Sequence, residues 1–313
     1  MVSGQREVQM KHSKLLILAF LLTTSAISAN SQEQPTTPSL LRIADRYWMQ
    51  PDVVYGSANN TALKLDIWYP RDENKPAPTL IFIHGGGWIF GSKEGAVYQL
   101  LPYLEKGWRV VNVEYRMAGN SLAPGSVEDT RCALRWVYRN AKQWNFDTTK
   151  LVLTGQSAGG HLSLITGMLP DGTALDNRCY ASEKYGDVPI KVAAIINWYG
   201  ISDVNDLIQG PNLKNYAAMW MGAMPNAADV ARSVSPLTYV RTGLPPILTI
   251  HGDADDVVPY TQATRLKAAL DRVGVINQLL TIKGGGHGMF TQEQYVAAYQ
   301  EIWKFLKANK VYP

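Results

Sequence analysis

Residues 153–162 read LTGQSAGGHL, an apolar strand end, then Gly155-Gln156-Ser157-Ala158-Gly159, then a run of helical character. With 26 glycines in 313 residues, a GxSxG pattern is a weak signal by itself. Its surroundings carry more. A strand ending at Thr154 and a helix running from Ala158 to Met168 make this the context in which a serine sits on a sharp strand-to-helix turn. Small flanking residues let the turn be tight, so the Ser157 hydroxyl is expected to stand exposed at the carboxyl edge of a sheet. The N-terminus of the following helix then faces any negative charge that develops there.

Working outward, short apolar or β-branched runs are expected as strands: Leu63–Tyr69, Thr79–His84, Arg109–Tyr115, Leu151–Thr154, Val192–Trp198, Pro246–His251 and Val275–Ile282. Helix-period segments fall between most of them: Ala96–Glu105, Val127–Trp144, Ala158–Met168, Gln262–Val273 and Glu293–Ala308. Strands alternating with helices imply right-handed crossovers and a mostly parallel α/β sheet. Ser126 and Asp129 resemble a capping box opening the second helix. Residues 201–243 break the rhythm with Met219, Trp220, Met221 and Met224 close together. This cap-like excursion fits either a roof over a pocket or a peripheral helix pair.

A serine hydroxyl needs a base to become a nucleophile. Of five histidines, His12 lies in the N-terminal leader, His161 is one turn along the helix from Ser157, His84 opens HGGGW and His251 closes a strand. His287, in GGGHG after the last strand, is the expected base. The orienting carboxylate should fall between serine and histidine in chain order. The stretch HGDADDVVP offers Asp253, Asp255 and Asp256. Asp255 is the expected member, with its neighbours holding the turn through backbone bonds. Its task is to fix the imidazole tautomer and stabilise the imidazolium. Residues 82–93, FIHGGGWIFGSK, place three glycines after a strand, where backbone can approach a substrate closely. The N–H groups of Gly85, Gly86 and Ala158 are the expected oxyanion hole, each such donor contributing about 3 kcal/mol to a transition state. Trp88, beside the hole, and Met219 and Trp220, in the excursion, are candidate pocket residues.

Together HGGGW, GQSAGG, HGDADDVVP and the final His-Gly resemble the HGGG-type α/β-hydrolase esterases. That group includes hormone-sensitive-lipase-like carboxylesterases and bacterial feruloyl and acetyl esterases. VEYRMAG, EDTRCALRW and NWYGISD are similar to connecting segments of the feruloyl-esterase-like branch, whereas SLAPGSVED lacks the aromatic many relatives carry before that helix. The resemblance covers roughly residues 50–310. It implies the α/β-hydrolase fold, an eight-stranded sheet with the second strand antiparallel, and hydrolysis of a small-molecule or polysaccharide-linked ester. It implies the same roles for Ser157, Asp255, His287, Gly85, Gly86 and Ala158, and no cofactor. A prolyl-oligopeptidase-type peptidase shares GxSxGG and a similar acid loop but usually carries a large N-terminal propeller, for which too few residues precede the first strand. A non-catalytic binding module on the same fold typically loses a triad member, and none is missing.

The remaining sequence bounds the setting. Net charge is +4 with interspersed signs and no basic run, which argues against a nucleic-acid surface. No run reaches the roughly 18 apolar residues of a membrane span. Lys11-His12-Ser13-Lys14, then apolar Leu15–Leu22, then small residues to Ala29, read as a secretory signal peptide starting at Met10 and cleaved near Ser28 or Ala29. Residues 1–29 are thus expected to be a leader, 30–48 a linker and N-terminal segment with the Pro/Thr/Gln-rich linker at 30–38, and 49–313 the hydrolase domain, exported to the periplasm or beyond. An oxidising compartment permits a bridge between Cys132 and Cys179, and two free thiols remain the alternative. Cys132 falls on the helix face opposite Val127, Leu134 and Val137. No CxxC, HExxH or Cys/His cluster suggests a metal, and neither GxGxxG nor GxxxxGK[ST] suggests a phosphate loop.

Overall fold

Runs such as Leu80–Ile83 and Leu151–Leu153 are apolar at every position because both faces of their sheet are covered. Leu80 and Phe82 pack on one side, while Ile81 packs on the other. The computed structural model describes residues 39–72, 75–175 and 190–312. The expected leader, residues 30–38 of the expected linker, and Cys179 lie outside them.

In chain order the elements are α1 (Ser39–Arg46), β1 (Tyr47–Ala58), β2 (Thr61–Pro70), β3 (Ala77–Ile83), α2 (Val97–Glu105), β4 (Arg109–Val113), α3 (Gly125–Arg139), α4 (Ala141–Trp144), β5 (Phe146–Gln156), α5 (Ala158–Met168) and β6 (Ala194–Trp198). Then come α6 (Asn205–Ile208), α7 (Asn215–Met221), α8 (Ala227–Ser233), β7 (Ile247–Gly252), α9 (Thr261–Arg272), β8 (Asn277–Ile282) and α10 (Gln292–Ala308). The eight strands form one sheet ordered β1-β2-β4-β3-β5-β6-β7-β8. β2 runs antiparallel to both neighbours, and every pair from β4 to β8 is parallel. This is the α/β-hydrolase fold. Helices α2 and α10 cover one face, and α3, α5 and α9 cover the other. The carboxyl ends of β3, β5, β7 and β8 therefore converge at one edge, where loops rather than helices set the chemistry.

Within the segment expected over 30–48, α1 and the start of β1 occupy residues 39–48. Two expectations are corrected. Ser126 and Asp129 form no capping box: α3 begins at Gly125 without a side-chain cap. Asp129 is buried and instead accepts the backbone N–H of Arg116 at 2.8 Å and its guanidinium at 2.7–3.0 Å. Cys132, expected away from the core face, is buried in the same cluster as Ala133, Leu134 and Val137, because α3 is covered almost all round. Its sulfur is disulfide-bonded.

The excursion resolves into α6, α7, α8 and a 3-10 turn over Pro236–Tyr239. Ala217, Trp220, Met221, Ala231 and Val234 bury against Leu162 and Ile165 of α5. The peripheral-helix reading thus accounts for most of it.

Removing one partner of a buried ion pair strands the other charge, at a cost of about 3–5 kcal/mol. Asp129→Ala should lose that much stability in urea unfolding. Ser126→Ala, which deletes a buried hydroxyl without a partner, should leave the midpoint almost unchanged, whereas a capping role would cost about 1 kcal/mol.

Candidate active site

Ser157 sits at φ 56°, ψ −119°, a conformation foreign to ordinary L residues. Packing imposes it. The Ser157 N–H donates to the Trp198 carbonyl at 2.9 Å, tying the turn to the end of β6. A Cβ on Gly155 would lie 2.3 Å from the Ile83 carbonyl oxygen, and one on Gly159 would lie 2.0 Å from that same atom. Those glycines let α5 start directly against β3, and the serine between them is turned out of the chain.

Asp255 and His287 meet on neighbouring loops. His287 Nδ1 lies 2.7 Å from Asp255 Oδ2. Facing a carboxylate, that nitrogen carries the proton, which leaves Nε2 as a free lone pair. The other carboxylate oxygen, Oδ1, accepts from the N–H groups of Val257 at 2.9 Å and Val258 at 2.8 Å. Burial pushes the Asp255 carboxyl up, but bonding from His251 and His287, the charge of His287 and the Val258 N–H outweigh it and hold the group well below the usual carboxylate range. Asp253 plays the turn-holding part, taking the Gly284 N–H at 2.7 Å and Lys283 at 2.9 Å, so it joins the acid loop to the histidine loop.

Ser157 and His287 line one cavity of about 630 Å³. Gly85 and Gly86 line it too. Gly86 is at φ 116°, and a Cβ there would lie 1.9 Å from the Phe90 carbonyl oxygen, so only glycine fits. Gly85 is close enough to the elbow that its Cβ would be 3.6 Å from that of Ser157. Among the described residues no protein acceptor takes the N–H of Gly85, Gly86 or Ala158, leaving three amide donors unspent beside the hydroxyl.

The three candidate pocket residues do not line the cavity. Trp88 is fully buried, as is Trp220, and the two rings stack at 4.2 Å. Met219 is exposed to solvent, 59% of its surface free, and also stands outside the cavity. The walls come from Phe82, Phe90, Tyr199, Tyr216 and Tyr295, which sequence reasoning missed. Phe90 follows HGGGW and Tyr199 follows β6, positions a strand-end argument could have found; Tyr216 and Tyr295 are helical and carry no such signal. Tyr216 is the excursion's contribution: its hydroxyl donates to the Val257 carbonyl at 3.1 Å, while Lys214 reaches the Asp256 carbonyl at 2.6 Å.

Trp88 instead anchors the glycine loop. Its Nε1–H donates to His161 Nδ1 at 3.1 Å, and His161 Nε2 faces the Val234 carbonyl at 2.7 Å. The imidazole is therefore neutral, with its proton on Nε2. At the loop's far end Lys93 is buried among Asp66 at 2.9 Å, Asp52 at 3.0 Å and Glu94 at 2.6 Å. His84 stacks on Tyr115 at 4.3 Å and its Nδ1 is 2.8 Å from the Gly85 carbonyl.

The BD-FAE family model matches residues 65–270. The chain belongs to that family. It is 31% identical over 253 residues to the esterase LipC of Mycobacterium tuberculosis, a match spanning 78% of this chain and 60% of LipC. Among solved structures, a truncated carbohydrate esterase from gut microbiota superposes with TM-score 0.70 at 25% identity, covering 85% of this chain and 97% of that one. A thermophilic esterase of Thermogutta terrifontis with propionate bound superposes with TM-score 0.71 at 26% identity, covering 83% and 94%. The match therefore spans only part of LipC, but nearly all of the two structural neighbours.

Burial pushes the His161 imidazole down to about 4, against the weaker opposing effect of its bond to Val234. The folded value lies below the unfolded one of about 6.5, so the unfolded chain takes up the proton first as pH falls. The stability tied to this group is full above about pH 6.5 and declines toward pH 4, by about 3 kcal/mol in all. His161→Gln, which keeps a donor and an acceptor but does not titrate, should flatten the fall in urea-unfolding free energy across that window by about this amount; an unchanged slope would contradict it.

Proposed function

We propose that the protein is an exported serine carboxylester hydrolase that cleaves short-acyl, acetyl or feruloyl esters through an acyl-enzyme on Ser157. The observation that carries this reading is the 2.7 Å contact between Asp255 and His287, with His287 lining a cavity that Ser157, Gly85 and Gly86 also line. His287 Nε2 takes the Ser157 proton as Oγ attacks the ester carbonyl. The N–H groups of Gly85, Gly86 and Ala158 bind the oxyanion, where preorganised donors do most in a site with little water. His287 then returns the proton to the leaving alcohol. Water, deprotonated by the same imidazole, hydrolyses the acyl-enzyme through a second tetrahedral intermediate. Asp255 keeps the ring in the required tautomer and balances the imidazolium.

The cavity's volume falls within the range of small-molecule sites, and its aromatic walls suit a flat or short apolar group. Family membership and the named activities of the relatives support the same class. Export rests on the basic-then-apolar run at residues 11–29. Among the described residues no helix is long and apolar enough to cross a membrane.

Ser157→Ala should reduce kcat on a p-nitrophenyl acetate assay by about 10⁶, and Asp255→Asn by about 10⁴. Undiminished turnover in the first variant refutes the assignment. A panel of acetyl, butyryl, longer-acyl and feruloyl esters with acetylated xylan should show a preference for short acyl or feruloyl groups. Cleavage of proline-containing peptides without ester turnover would replace the reading by a peptidase.

A further inference from the structure

His251 is a histidine with no part in the scheme above, yet it lies against the catalytic carboxylate. It closes β7 and is fully buried. Its Nε2 lies 3.0 Å from the Val258 carbonyl oxygen and 3.3 Å from Asp255 Oδ2. Both neighbours are acceptors, so the ring proton sits on Nε2. Nδ1 is buried with no hydrogen-bond partner, so a second proton would have nothing to receive it. The ring's donor nitrogen thus faces Val258 and Asp255. Asp255 Oδ2 stands between two imidazoles, at 2.7 Å from His287 and 3.3 Å from His251.

We propose that His251 is a positioning residue for the catalytic pair, whose Nε2–H pins the Asp255–Val258 turn and is shared with Asp255, moderating the carboxylate's hold on His287. The inference rests on the triad reading given above. Val258 is gripped from both sides, its N–H by Asp255 Oδ1 and its carbonyl by His251, which fixes the plane of the carboxylate. A further donor on Asp255 also draws off part of its negative charge, so the carboxylate stabilises the His287 imidazolium less.

The other titratable groups around this pair are few. Tyr199, after β6, rings His251 at 6.5 Å and His287 at 4.7 Å. Tyr260, ahead of α9, faces His251 at 5.7 Å, and Tyr216 approaches Asp255 from α7. Burial pushes Tyr199 and Tyr216 upward, so both are neutral where an esterase works. Asp253 is paired with Lys283, and Asp256 adjoins the acid loop on its outer side.

The test is the pH profile of kcat/KM for the parent, His251→Phe and His251→Gln, with Asp255→Asn alongside. His251→Phe should lower kcat by about tenfold and move the acid limb upward by about half a pH unit, and His251→Gln, which restores a donor, should return the limb toward the parent. An acid limb unmoved in His251→Phe, moved downward, or moved equally in both variants overturns the proposal. Should His251→Phe fail to fold, ¹⁵N-histidine NMR of the parent decides: an Nε2–H tautomer at residue 251 supports it, and an Nδ1–H tautomer overturns it. Full activity in Asp255→Asn would instead mean that the triad reading itself has failed.

Discussion

The left-handed backbone of Ser157 is the constraint on which the site depends. A non-glycine residue at such a φ costs about 1–3 kcal/mol and persists only where its surroundings over-determine it. Here the surroundings are the β6 carbonyl that takes the serine N–H and two glycines with no room for a Cβ. Because β3 and α5 touch through those glycines, the turn's position is set by the sheet and not by a loop. The hydroxyl, the glycine loop after β3 and the start of α5 are thereby assembled at one point.

The second element of the design is support from below. Trp88 was the residue most easily mistaken for a pocket wall, since it adjoins the glycines. It points the other way, into a stack with Trp220 and a bond to His161 on the elbow helix. One buried imidazole therefore connects the glycine loop to α5 and, through Val234, to the end of the excursion. The excursion in turn grips the acid loop through Tyr216 and Lys214. Loops that hold the reacting groups are thus tied to one another by directional bonds.

Residues whose placement follows from local rules were legible in the sequence. Seven strands and five helices carry their period or apolar runs openly, and the elbow glycines announce their own turn. β1 was not visible. It alternates poorly, contains Pro51, is largely exposed and exists by pairing with β2. α1 is only eight residues long, beside a polar stretch. Asp129 looked like a cap because its spacing from Ser126 fits one, but a buried arginine 13 residues earlier claims it. His251 read as a strand end, and only the fold brings its Nε2 to the back of Asp255. Burial direction and long-range pairing decide such cases, and neither is written in spacing.

Covalent trapping tests directly whether Ser157 is the nucleophile. After incubation with diisopropyl fluorophosphate, peptide mapping by mass spectrometry should find one adduct per chain, on the peptide containing Ser157, with ester hydrolysis lost in proportion to labelling. An adduct on another residue, or full hydrolysis by a chain that takes up no label, would contradict it.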